Sequence, residues 1–198
     1  YGTQFNHALS DSGRIVCDMS SDIFSKPIDW NAFDMVYAGA QKNLGPSGTV
    51  LVIVRKDMLE SCPDHLPMML NYNAIAKKGS RLNTPPAFGI YLMGQVFKWI
   101  LSEGGVSAIH DRNARKAGYI YDALEANSNC YKIFAHEGSR SLMNISFTTN
   151  EDVKNEMFLK EAASQWMSGL KGHRDLGGIR ASIYNAFPEE GCKRFAEF

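Results

Sequence analysis

Short apolar runs give way along the chain to longer stretches of helical periodicity. Residues 14–18 (RIVCD), 34–38 (DMVYA) and 49–54 (TVLVIV) are short, continuous and apolar. The third is rich in β-branched residues, and all three read as strands covered on both faces. Residues 61–86 carry Pro63, Pro67, Pro85 and Pro86 and read as irregular. Pro85-Pro86 opens a helix over 87–102, since the N–H that proline lacks has no partner in a first helical turn. Gly104-Gly105 ends that helix, and a domain boundary is expected there. A second helix is predicted from about Val106 to Ala126, with Val106, Ile109, Ala117, Ile120 and Leu124 on one broad face. Residues 142–148 (LMNISFT) and 178–184 (GIRASIY) read as strands. Between them Thr149 or Asn150 is expected to cap a helix running from about Glu151 to Met167, and Pro188 starts a last helix. The alternation predicts an α/β architecture followed by a smaller α+β domain.

Composition narrows the function classes. Hydrophobic residues make up 44% of the 198, enough for a real core in one large domain or two small ones. The formal net charge is zero and no segment is strongly basic, so neither nucleic acid nor an acidic membrane has electrostatic support as a partner. Cys17, Cys62, Cys130 and Cys192 are dispersed without a CxxC pair, which favours reduced thiols over a disulfide framework or zinc site. His7, His65, His110 and His136 lack metal-ligand spacing, and no metal is expected. No apolar run approaches the roughly 20 residues that span a bilayer. With no signal peptide in view, the expected location is cytoplasmic. The chain begins at Tyr1 rather than Met, and is expected to be processed or incomplete.

The most informative stretch is VYAGAQKNLGPSG over 36–48. A strand runs into small residues, then Gln41-Lys42-Asn43, then a Gly-Pro turn. Open α/β sheets bind ligands beyond the carboxyl ends of their strands. A lysine there, crowded by Gly and Ala, loses solvent, which favours the neutral amine and Schiff-base chemistry. By spacing alone Lys42 reads rather as an ordinary solvated loop lysine, since the chain has many lysines. Asp18, which ends RIVCD, adds a second group. If its strand lies beside that of Lys42, amine and carboxylate approach one sheet edge, as a pyridoxal 5'-phosphate (PLP) site requires. Without the lysine, Asp18 reads rather as a strand-end cap or turn residue.

The segments DMSSDIFSKPID, YAGAQKNLGPSG, RLNTPPAFGIY, RSLMNISF and GHRDLGGIRASIYNAFPEEG together resemble the phosphoserine aminotransferase family of class V PLP enzymes, in order and spacing, over essentially the whole chain. The resemblance implies fold type I. Residues 1–105 would be the C-terminal part of the PLP-binding large domain, and 106–198 the small C-terminal substrate-binding domain. It implies that Lys42 forms the Schiff base and shuttles the substrate proton. Asp18 would partner the pyridine nitrogen, and Gln41 would contact the cofactor near its phosphate. Asn83 and Thr84 would reach the phosphate held by the neighbouring subunit of a homodimer with shared active sites. An Asx-turn ahead of the Pro-started helix accounts for the same pair. His173 and Arg174 would hold a substrate phosphate and Arg180 the α-carboxylate, a task suited to the guanidinium fork. The implied reaction converts glutamate and 3-phosphohydroxypyruvate to 2-oxoglutarate and O-phosphoserine.

Family members extend much further at the N-terminus, where the resemblance places the ring-stacking aromatic and the first phosphate-binding loop. Two alternatives follow. One is a truncated, non-catalytic piece of such an enzyme. The other is a different small-substrate PLP aminotransferase, against which the cationic His173-Arg174 pair argues.

Overall fold

The computed structural model describes residues 2–6 and 13–198. His7 therefore lies outside the described residues. Two compact units share the chain. One holds the described residues 13–23 with Ile28–Trp99. The other joins residues 2–6 and Phe24–Pro27 to Ile100–Phe198.

The first unit is built on a three-stranded sheet of order β1-β2-β3, with β1 at Val16–Asp18, β2 at Met35–Gly39 and β3 at Val50–Val54. β1 and β2 run parallel, with Asp18 opposite Tyr37, while β3 returns antiparallel. Met35, Val36 and Ala38 of the central strand are buried. The edge strands differ from the two-sided burial expected of their apolar sequences, for Val16 is 54% and Val50 62% exposed. Two short helices, α1 (Lys56–Glu60) and α2 (Tyr72–Lys77), follow β3. α2 sits inside the stretch that reads as irregular. Its start is fixed by Asn71, whose side chain accepts from the Ala74 N–H, and six residues are too few for a periodic signal. α3 spans Ala87–Ser102. Gly89 lets it approach closely: a Cβ there would lie 2.2 Å from Thr49 Oγ1.

The second unit is an α+β layer. α4 (Gly105–Ala126) leads to an antiparallel sheet of order β4-β5-β7-β6, made of Tyr131–Ile133, Asn144–Thr149, Gly177–Ser182 and Lys171–His173. α5 (Asp152–Ser164) and α6 (Glu189–Glu197) complete it. Ile120 and Leu124 pack with Ile145, Phe147, Ile179, Ala181, Ile183 and Cys192 as its core. β4 and β6, three residues each, carry no readable alternation. α5 departs from the expected capping. Glu151 is its N-cap without a side-chain bond, and Asn155 reaches back from within the helix to accept from the Thr149 N–H at 2.8 Å. Its other end is a Schellman turn, with Trp166 N–H on Ala163 O (3.1 Å) and Met167 N–H on Ala162 O (2.9 Å). Trp166 takes φ 65° there, where glycine is usual. Among the described residues no helix is long and apolar enough to cross a membrane.

Candidate functional site

Parallel pairing of β1 and β2 brings their carboxyl ends to one edge of the sheet. Asp18 closes β1 there, exposed, with its carboxylate accepting the Ser20 N–H at 2.8 Å. Its charge raises the phenol of Tyr37, its register partner, above the ordinary tyrosine value. Tyr37 carries no signal of its own in the sequence. Beyond β2 the chain makes one helical turn, in which the N–H groups of Leu44 (3.0 Å) and Gly45 (2.8 Å) both reach Ala40 O. Ala40 and Leu44 are wholly buried and anchor that turn. Lys42 stands on it, partly buried, with Nζ 2.9 Å from Ser21 Oγ. Gln41 is exposed, its carboxamide folded over Gly39, where a Cβ would meet Oε1 at 2.5 Å. Asn83 and Thr84 are exposed in the segment that leads into α3.

The second unit carries the other three predicted residues. His173 ends β6, its Nδ1 accepting the Asp175 N–H at 3.3 Å. Arg174 follows at the hairpin tip with a side chain 89% exposed, its Nε 3.8 Å from the Asp175 carboxylate. The close pairing of β6 with β7 requires glycine at position 172, since a Cβ there would meet Gly177 O at 1.8 Å. Arg180 lies in β7 opposite Ser146 of β5. Its neighbours Ile179 and Ala181 point into the helix-covered core, so Arg180 faces the other side of the sheet. Its buried Nε has no hydrogen-bond partner. The structure thus places Asp18 and Lys42 at one sheet edge and His173, Arg174 and Arg180 on one hairpin.

A buried polar group on α4 escapes sequence reasoning. Asn113 and Lys116 share the buried face of Ile109, Ala117, Ile120 and Leu124, and both are 0% exposed. Lys116 Nζ donates to the carbonyls of Tyr184 (2.8 Å), Phe187 (3.2 Å) and Asn185 (3.4 Å). Asn113 Nδ2 donates to Ser25 O (3.1 Å) and Asn185 Oδ1 (2.8 Å), and Asn185 Nδ2 to Phe24 O (3.1 Å). One helix face thereby grips both the loop after β7 and the segment Phe24–Ser25. The only available signal was spacing, which sets residues 113 and 116 on the apolar stripe.

Burial lowers the Lys116 ammonium from 10.5 to about 8. The folded pKa lies below the unfolded one, so between about pH 8 and 10.5 the unfolded chain holds more protons at this site. Its contribution to stability therefore rises with pH across that window. The rise is at most about 3 kcal/mol, less what the three carbonyls return to the charged form. Cys192, pushed up to about 11 by burial, opposes it above about pH 9. Denaturant titrations of wild type and Lys116→Met across the window isolate the lysine: the difference between the two proteins is expected to change with pH by that amount.

A family model described as aminotransferase class-V matches residues 5–195. The chain is 50% identical over 198 residues to the phosphoserine aminotransferase of Desulfotalea psychrophila, covering all of this chain and 55% of that protein. It is also similar to the solved phosphoserine aminotransferase of Bacillus circulans subsp. alkalophilus, with a TM-score of 0.95 and 47% identity over 99% of this chain and 55% of that one. The PLP-bound phosphoserine aminotransferase of Trichomonas vaginalis superposes with a TM-score of 0.92 at 34% identity, over 99% of this chain and 56% of that one. The chain spans about half the length of the curated relatives it matches.

Proposed function

The chain belongs to the aminotransferase class-V family and has the fold type I architecture of PLP-dependent transferases, and on that premise we propose that it serves a phosphoserine aminotransferase. The reaction would pass the amino group of glutamate to 3-phosphohydroxypyruvate, giving 2-oxoglutarate and O-phosphoserine. The observation that carries this reading is the parallel pairing that sets Asp18 and Lys42 at one sheet edge.

The residues of the first unit fit the cofactor: a primary amine on the turn after β2 and a carboxylate at the end of β1, on the same edge of the sheet. When bound, PLP supplies an aldehyde for Schiff-base formation and an electron-withdrawing ring. Lys42 provides the amine for that bond and moves the proton at substrate Cα. Asp18 holds the proton on the pyridine nitrogen. Gln41 meets the phosphate, with Asn83 and Thr84 reaching it from a second copy in a homodimer. Arg180 pairs with the substrate carboxylate through two parallel N–H donors. His173 and Arg174 supply positive charge to the phosphorylated end. In this reading residues 1–105 belong to the cofactor domain and 106–198 to the substrate domain, and the enzyme is cytoplasmic.

Borohydride reduction of the cofactor-loaded whole protein, followed by peptide mapping, tests the assignment. A pyridoxyl group on Lys42 is expected. The same group on another lysine overturns it.

A further inference from the structure

Four hydrogen bonds join the loop after β1 to β2 and the turn that follows it, and one of them ends on the amine of Lys42. The Met19 N–H donates to Tyr37 O at 2.8 Å, extending the β1–β2 ladder past Asp18. The Gly39 N–H then donates to Ser20 Oγ at 3.1 Å. Lys42 Nζ donates to Ser21 Oγ at 2.9 Å. Asn43 Nδ2 donates to Ile23 O at 3.1 Å. Three of these fix backbone or structural side chains. The third joins a side chain with rotatable bonds to a hydroxyl whose place is already set.

The hydroxyl's place is set from both sides. Ile23 is wholly buried, with its N–H on Met19 O at 2.9 Å, and Asp18 Oδ1 takes the Ser20 N–H at 2.8 Å. Ser21 therefore sits on a loop closed upon itself, while Lys42 sits on a turn anchored by buried Ala40 and Leu44. A flexible ammonium stem loses rotamer freedom when held in one place. A partner that holds it beforehand removes that cost from any later step.

We propose that Ser21 is a positioning residue for Lys42: its hydroxyl holds the amine in the pose from which it meets a carbonyl at the sheet edge. The proposal rests on the assignment of Lys42 as the Schiff-base lysine. A serine suits the task because one oxygen accepts from the amine and also donates to its lone pair, so it keeps hold of either protonation state. The amine must be released and recovered in each catalytic cycle, and Ser21 gives it one place to wait.

The test measures capture of the cofactor by the cofactor-free whole protein, in wild type, Ser21→Ala and Ser21→Thr. A net hydrogen bond of about 1–1.5 kcal/mol corresponds to roughly a five- to tenfold change. Ser21→Ala is expected to slow the saturating, first-order rate of imine formation by that factor, read by absorbance in stopped flow. Affinity for a PLP analogue lacking the aldehyde should be unchanged, which separates amine positioning from loss of the pocket. Ser21→Thr, which keeps the hydroxyl, should recover most of the rate. A wild-type capture rate in Ser21→Ala overturns the proposal, as does equal slowing in Ser21→Thr. Peptide mapping of the captured adduct distinguishes the other failure, since a label on a different lysine refutes the role of Lys42 whatever Ser21 does.

Discussion

Asp18→Asn is expected to lower turnover of the whole protein by on the order of 10²–10³-fold, the magnitude found when one preorganised electrostatic partner of the reacting system is removed. The substitution keeps shape and hydrogen-bonding reach but removes the charge that, in the proposed function, holds a proton on the pyridine nitrogen. Structural damage should be slight. The Asp18 carboxylate accepts the Ser20 N–H in its own loop, a bond the asparagine oxygen reproduces. The sheet edge beneath is fixed by the β1–β2 ladder. Two measurements check this together: the steady-state rate, and the Tyr37 titration. The phenol stands raised chiefly by the Asp18 charge, so it should fall toward its ordinary value in the variant. Wild-type turnover with a shifted Tyr37 would show that the charge was removed and was not needed.

The second large effect concerns substrate discrimination. Arg180→Ala should harm both half-reactions, because glutamate and O-phosphoserine share the α-carboxylate. Arg174→Ala should harm the phosphoserine half-reaction more, because a phosphate dianion attracts the cation more strongly than a single carboxylate does. A charge-assisted hydrogen bond is worth on the order of 1.5–3 kcal/mol, or roughly ten- to a hundredfold in the specificity constant. Arg174 is well placed for a clean result: its side chain is 89% exposed, and its contact with Asp175 at 3.8 Å contributes little to stability. Single-turnover spectroscopy of each half-reaction measures the split. Equal losses with both substrates would show that Arg174 does not read the phosphate.

The hydrophobic pattern alone determined the long elements. The helix over 87–102 stands as α3, and the run TVLVIV stands within one residue of β3, because both are long or strongly β-branched and carry their own boundaries in proline and glycine. It missed α2, β4 and β6, which are three to six residues long and give no period to read. It misplaced the cap of α5, because the Thr149 hydroxyl is engaged with Glu151 O at 2.7 Å and Asn155 Oδ1 at 3.0 Å instead of capping the helix.

The candidate chemistry divides in the same way. Local sequence placed Asp18 at the end of one strand and Lys42 just past another, since a strand end followed by small and turn-forming residues is a local property. That their strands are parallel neighbours is decided only by hydrogen bonds between residues nearly twenty positions apart. Ser21 as the partner of Lys42, and Lys116 under three carbonyls some seventy residues away, follow from the same long-range closure. A buried lysine and a surface lysine are the same letter. Only the packed core settles which carbonyls replace the water, and so which of the two Lys116 becomes.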